Sequence, residues 1–512
     1  MTVQNRVRRV ADQLPTLGLV AFGFSGLFQL LAEVLTVFPG LNEAGYGDSY
    51  ILYDAEQFRR TGLIYRDPAL PPHPPGIYSP LLYVVLSLPG RMLHTTNPFL
   101  GPRAVILLAF VGCVLVTMSI ARALIRAPAA GQLALLLACA IGTMPRWVLQ
   151  LRGDFPGAAF GLLAVRLLLV PRWWAMLLAG TAAGLAFQFK ITFVAALAAG
   201  GLWLLAARRW WELVFFSSAG ALFAVAPYLY FHFREPAMFT QLLSLSHVIR
   251  DYNGLAHLAA HAAIEPVSLI AVATLPLVWH RRRRRWSLLV LFACISLGVA
   301  VITGVHSGAN QNYFFEGLFA LTPLAVLGGL RLSWGGWRQG TGGRLAALLL
   351  LAYAGLPNLM NGAHTIREGL GASARRAERR PIEVLGQALP GHRVLSTVPR
   401  VSLLIDTPEL IEPFQLTYLQ RLGKFDTRPL RERIRRLEFE AIVTRAKPSS
   451  FRGVPSLPED LREAIAEAYH PFCAPGPAWM VHLPNDATGR GPFAARLLAL
   501  GCTAVGPDAP AL

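Results

Sequence analysis

Potential chemistry is most concentrated in one polar stretch, Asn42 to Pro80, which follows the first long apolar run. It places Glu43, Asp48 and Asp54 within twelve residues and leaves through a Pro- and Tyr-rich exit, PPGIYSPLLY, that contains Tyr78. An aspartate held at a membrane face can take the proton of an acceptor hydroxyl, which is general-base work. The plain alternative for Asp48 and Asp54 is a solvated loop carboxylate or a helix cap. Asp54 and Glu56 also stand where a helix would let them offset Arg59 and Arg60, a local use that competes with any role in a site.

Asp154, in LQLRGDFPGAAF, is a second candidate. Asp before Phe-Pro and an apolar run reads as a helix N-cap paired with Arg152, or else as the carboxylate that completes a site with Asp48. Lys190, in GLAFQFKITF, is the only lysine of the apolar part. An ionisable group there is paired, hydrated or snorkelling, and it could hold a lipid phosphate. Asn312 and Glu316 lie in GANQNYFFEGLF, at the start of a later apolar run, where Glu316 could pair with Lys190. A further loop holds His232, His247, Arg250, Asp251, His257 and His261. His257 and His261 have a spacing that can bind zinc, but no third ligand is apparent and an amphipathic surface helix is the simpler reading. Arg250 is a candidate phosphate contact.

These residues need elements to position them, and composition says which. Of 512 residues, 54% are hydrophobic and only 15% charged, too few charges to coat several soluble domains. The net charge of +18 is carried mainly by arginines in short loops between apolar runs, a pattern of topology signals and anionic-lipid contact rather than of nucleic-acid binding. A ruler of roughly 20 residues per crossing predicts about eleven spans. They lie near 15–38, 101–124, 131–149, 155–171, 173–190, 191–207, 211–233, 264–280, 286–304, 313–331 and 344–360. Alternation then puts Arg6, Arg8 and Arg9, Arg122 and Arg126, Arg172, Arg208 and Arg209, the run Arg281 to Arg285, and Arg331, Arg338 and Arg344 on one side, the inside. PLLYVVLSLPGRML would break that alternation as a span, so it is expected to lie as an interfacial helix on the outer face.

The expected fold is therefore an α-helical polytopic membrane domain over 1–360, with an outer first loop at 39–100. A small extracytoplasmic α/β domain is expected over 361–512, where β-like HRVLST, FEAIVTR and AWMVHLP alternate with amphipathic RPLRERIRRL and PEDLREAIAEAY. The closing GPDAPAL reads as a frayed tail. That domain has no Gly-rich nucleotide fingerprint, so no cofactor is assigned. Cys113, Cys139 and Cys294 read as small buried thiols, whereas Cys473 and Cys502 could pair outside the cytoplasm.

Taken together, several features resemble GT-C glycosyltransferases, nearest to bacterial proteins of glycosyltransferase family 39 and the aminoarabinose and dolichyl-phosphate-mannose transferases. They are the first span, the acidic outer loop, the exit PPGIYSPLLY, the Arg-Gly-Asp before the fourth span and the lysine after FQF. The resemblance implies inverting transfer of a sugar from a polyprenyl-phosphate donor to a lipid, glycan or protein acceptor at the outer face of the bacterial inner membrane. It implies that Asp48 and Asp154 are the acidic catalytic positions and that Lys190 and Arg250 hold the lipid phosphate. Asp54, Tyr78, Asn312 and Glu316 complete the candidate substrate contacts. This chain has Gly47-Asp48 where many relatives have Asp-Glu, which leaves the base and any metal requirement open. Many relatives need no metal, and no dense carboxylate cage is visible. A transporter or flippase of a lipid-linked sugar and a non-catalytic scaffold are the alternatives. A transporter would favour matching halves with broken spans, and neither is evident.

Overall fold

The computed structural model describes residues 3–505 except 41–42, 46, 68, 72, 74–75, 93–96, 143, 245–249, 280–283, 307–308, 334–340, 370–371, 406–408, 447–449, 452–453, 456 and 487–490. His247, Arg281 to Arg283, Arg338 and the closing GPDAPAL lie outside the described residues. The chain opens with α1 (Val3–Val37), α2 (Asp48–Thr61), α3 (Pro80–Met92), α4 (Leu100–Leu124) and α5 (Ala130–Ala140). It continues with α6 (Asp154–Leu168), α7 (Trp173–Phe189), α8 (Ala195–Ala206), α9 (Trp210–Arg234) and α10 (Met238–Ser244). The helical part closes with α11 (Tyr252–Ile264), α12 (Pro266–Trp279), α13 (Arg284–Thr303), α14 (Phe315–Ser333) and α15 (Thr341–Gly369).

Every expected span meets one of these helices, some over their full length and others only in part. Among the described residues five helices are long and apolar enough to cross a membrane, and the α11–α12 pair adds one if its 68° bend is a broken span. Helix α5 stops at Ala140 and the chain turns there, so the apolar run 131–149 is a short helix followed by a buried loop. Large apolar side chains stand exposed along the bundle, among them Leu108, Trp211, Phe233, Ile302 and Tyr353. Hydrocarbon is the solvent that tolerates such a surface, because helices satisfy their backbone groups internally. Cys113 and Cys139 are buried as expected, but Cys294 is exposed on this outer surface. PLLYVVLSLPGRML forms α3, only 13 residues long, with Leu82, Tyr83 and Leu86 buried on its packed face.

The first loop is pinned where it leaves α1. Arg103, in the first turn of α4 and fully buried, donates from Nη1 to the carbonyls of Val37, Phe38 and Gly40, and its guanidinium lies 4.8 Å from the Phe99 ring. A helix C-terminus leaves carbonyls without intrahelical donors, and a buried cation satisfies them. Farther on, the Glu235 carboxylate at the end of α9 accepts from the Ile64 and Tyr65 N–H groups, and Gln241 of α10 accepts from Gly76 N–H and donates to the Arg66 carbonyl.

After α15 comes the second fold: α16 (Ala372–Ala388), β1 (Val394–Ser396), α17 (Pro399–Ile405), α18 (Pro413–Arg421), α19 (Arg428–Arg435) and β2 (Ala441–Arg445). It ends with the pair β3 (Ser450–Phe451) and β4 (Val454–Pro455), then α20 (Glu459–Ala468), β5 (Tyr469–Gly476), β6 (Trp479–Pro484), α21 (Pro492–Ala499) and β7 (Thr503–Ala504). The sheet runs β1-β2-β6-β5-β7, with β1 and β2 parallel and the other pairs antiparallel. Strand alternation sends Ala441 and Val443 into one core and Ile442 into the other, so the five-stranded sheet is covered on both faces. HRVLST, FEAIVTR and AWMVHLP are β1, β2 and β6, and the two amphipathic segments are α19 and α20. The composition changes near 361, but α15 continues to Gly369 before this fold begins.

Cys473 and Cys502 form a disulfide with Cα atoms 5.7 Å apart, joining β5 to the approach of β7 across 29 residues of sequence. A cross-link over that separation restricts the unfolded chain by about 3–4 kcal/mol. Cys473→Ser is therefore expected to lower the melting midpoint of the sheet domain while leaving the helical bundle's transition in place, as thermal unfolding followed by limited proteolysis would report.

Candidate functional site

Asp48 opens α2, and the chain must turn sharply to reach it. Gly47 has φ +92°, a left-handed conformation that glycine adopts at little cost. The carboxylate folds back on that turn: Oδ2 accepts from the Ala44 and Gly45 N–H groups at 3.0 Å each. Oδ1 accepts from Leu151 N–H, also at 3.0 Å, on the loop that leads to α6. Asp48 is thus fully enclosed and joins the loop after α1 to the loop before α6. Burial pushes its carboxyl up to about 6, against the pull of the Arg152 guanidinium and of the N–H donors, and with a push from Glu43.

Asp154 opens α6 behind Gly153. A Cβ on Gly153 would lie 2.4 Å from the Phe189 carbonyl oxygen, so the absence of a side chain there lets this loop close on the loop after α7. That approach brings Lys190 Nζ to 2.9 Å from Asp154 Oδ1, while Asn312 Nδ2 donates to Oδ2 at 2.8 Å. Lys190 Nζ also lies 3.8 Å from the centre of the Tyr313 ring. Beside it the Tyr78 hydroxyl accepts from Arg152 Nη1 at 3.4 Å, and the Arg152 guanidinium stacks 5.2 Å from the Trp147 ring. A small pocket opens against this cluster, lined by Asp154, Lys190, Thr192, Ser296, Asn312 and Glu316 among others. Glu316 is buried and hydrogen-bonds Ser296. Its Oε1 and the Asn312 Oδ1 have no partner among the described residues.

The structure therefore brings together Asp154, Lys190, Asn312 and Glu316, with Tyr78 alongside and Asp48 joined through the 151–152 backbone. Several expectations change. Asp154 does not cap α6 or pair with Arg152: Gly153 holds the cap position and Lys190 is the ion partner. Glu316 does not pair with Lys190, although both line the pocket. Asp54 is not the partner of Arg59 and Arg60, since Glu56 takes both; buried Asp54 instead hydrogen-bonds the Tyr83 hydroxyl, which accepts from the Ile77 and Tyr78 N–H groups. Arg250 is exposed, its backbone bridged to His306 beyond α13, and it is not among the residues that line the pocket. His257 and His261 pack edge to face on α11 with ring centres 5.8 Å apart. No group of three or more His, Cys, Asp or Glu among the described residues is placed to hold a metal ion.

Sequence reasoning missed Tyr313 and saw Arg152 only as an ion partner. Tyr78 feels both the Arg152 and the Lys190 charge. Lys190 and Arg152, flanked by the Tyr78 and Tyr313 phenols and with Asp154 held against the lysine, form a niche that can receive an anionic group.

Neither a protein-family model nor a curated protein matches the sequence. The fold, a polytopic helical bundle carrying a small sheet domain, is nevertheless shared with solved structures. The chain is similar to ArnT from Cupriavidus metallidurans in the apo state, with 15% identity, a TM-score of 0.61, and 92% of this chain and 99% of that one covered. The same protein bound to undecaprenyl phosphate gives 14% identity and a TM-score of 0.59, with 92% and 99% covered. The archaeal oligosaccharyltransferase AglB from Archaeoglobus fulgidus, in complex with an inhibitory peptide and a dolichol-phosphate, gives 13% identity and a TM-score of 0.52 over 89% of this chain and 72% of that one. At such identities the likeness establishes a shared fold.

Proposed function

We propose that this chain is an integral membrane glycosyltransferase that moves a hexosyl or pentosyl group from a polyprenyl-phosphate donor to an acceptor of the cell envelope. The observation that carries this reading is the Asp154–Lys190–Asn312 cluster, seated at a polar pocket between helix ends of a GT-C fold. Lys190 and Arg152 receive the donor phosphate, and Asp154 aims the lysine. Asp48 takes the proton of the acceptor hydroxyl as the acceptor oxygen bonds to the anomeric carbon and the bond to the phosphate oxygen breaks. A single displacement of this kind inverts the anomeric centre. Because Asp48 is enclosed by the 44–45 backbone, the acceptor must displace that turn to reach it.

The first loop and the sheet domain touch through Tyr50 with Thr397 and Glu43 with Arg445, which supports reading both as segments of one side. The Cys473–Cys502 disulfide supports placing that side outside the cytoplasm. Purified protein in nanodiscs is expected to bind undecaprenyl phosphate in native mass spectrometry. Deletion of its gene should remove a sugar mass from an envelope glycan or lipid. Movement of a lipid-linked sugar across vesicles, with no sugar transferred, would instead make the protein a transporter.

A base must be ionised to act, so a carboxyl near 6 sets an acid limb: kcat/KM should rise with pH through about 6 and level off above it. Glu43→Gln removes a charge that pushes the Asp48 carboxyl up, and the limb should move to lower pH in the variant's pH–rate profile.

A further inference from the structure

We infer that the sheet domain is a positioning part of the transfer site, with Arg445 acting through Glu43, and the Thr397 carbonyl through Tyr50, to hold the start of α2 and with it the Asp48 carboxylate. The inference rests on the reading of Asp48 as the base, but its test does not use activity.

Helix α2 lacks a side-chain cap of the ordinary kind, because its cap residue is Gly47. The missing acceptor comes from outside the helix: Glu43 Oε1 accepts from Ser49 N–H at 3.1 Å, and a carboxylate suits a helix N-terminus. The other Glu43 oxygen lies 4.0 Å from Arg445 Nη2, on the last residue of β2. At the next residue, the Tyr50 hydroxyl donates to the Thr397 carbonyl at 2.8 Å, just beyond β1. Tyr50 and Tyr53 also bury their rings with Leu410, and Leu403 of α17 packs against them. A third tie, His73 N–H to the Leu410 carbonyl at 3.1 Å, fastens the later part of the first loop to the same edge.

All of residues 48 to 55 are buried, between the bundle on one face and the sheet domain on the other. Asp48 sits at the tip of this clamped helix, and its three N–H donors come from Ala44, Gly45 and Leu151. The charged groups that face it are Arg152 and Glu43, and the sheet domain holds the second of them. An edge of β1 and β2 that reaches into the first loop at three separate points does more than tether a domain. It fixes the helix whose first residue is the proposed base.

Hydrogen exchange of the full-length protein in nanodiscs, read by mass spectrometry, tests this. The pair Tyr50→Phe and Arg445→Gln should speed exchange of the Ala44, Gly45 and Leu151 amides by roughly tenfold, since a hydrogen bond and an ion pair are removed. Exchange within α4 and α14 should not change. Restoring charge with Arg445→Lys should recover part of the protection, which simple loss of packing would not allow. Unchanged exchange at Ala44, Gly45 and Leu151 would overturn the inference, as would faster exchange throughout the bundle in both the pair and Tyr50→Phe alone. If Asp48 proved dispensable for transfer while these amides still responded, the clamp would stand and only the base assignment would fall.

Discussion

Asp48→Asn is expected to lower transfer by roughly 10²- to 10⁴-fold, the usual contribution of a positioned general base. The height of the loss does not by itself identify a base here. Asp48 accepts three backbone hydrogen bonds, and an amide offers one acceptor oxygen where the carboxylate offers two. At least one buried N–H is stranded, at a cost of about 1–3 kcal/mol, so the tie between the two loops also loosens. The shape of the pH–rate profile separates the two effects. If Asp48 is the base, the residual rate of Asp48→Asn should be flat through pH 6, because the group that set the acid limb is gone. If Asp48 only fastens the two loops, the limb should persist at reduced amplitude, reporting some other base. A profile measured on variant and parent in membranes supplied with the same polyprenyl-phosphate sugar decides between them.

The limits of what the sequence discloses follow from the same residues. The positions of the long apolar helices were legible, because apolar length is a strong local signal, whereas the short α2 and α10 were not. The sheet domain was legible too, where β1, β2 and β6 carry the period of strands. Pairings across the chain were not. Asp154 and Lys190 are 36 residues apart, and what joins them is the close approach at Gly153, which leaves only a glycine in the sequence. Asp54 and Glu56 look equivalent beside Arg59 and Arg60, yet helical phase turns Glu56 outward to both arginines and Asp54 inward to Tyr83. Arg103, buried at the exit of α1, stands inside the expected span 101–124, and nothing local marks the carbonyls of Val37, Phe38 and Gly40 that it meets. The short α5 was hidden for a related reason: the residues after Ala140 stay apolar because their loop is buried, not because the helix continues.

Lys190→Met should abolish binding of undecaprenyl phosphate and also destabilise the protein. Asp154 is 2% exposed, and losing its cation leaves a buried charge that keeps the Asn312 hydrogen bond but not its ion partner. Removing one partner of a buried ion pair costs about 3–5 kcal/mol. Loss of binding by this variant is therefore ambiguous, since a distorted pocket would bind nothing. Combining Lys190→Met with Asp154→Asn resolves the ambiguity, because it removes both charges and leaves polar groups that Asn312 can still meet. The double variant should recover most of the lost melting temperature. If Lys190 receives the donor phosphate, its affinity should stay at least tenfold below that of the parent, since a hydrogen bond to a charged group contributes about 1.5–3 kcal/mol. If Lys190 serves only to neutralise Asp154, the double variant should regain binding along with stability. Thermal unfolding and a native mass-spectrometry titration of the same three proteins measure both quantities, and recovered stability without recovered binding is the result that places the phosphate on Lys190.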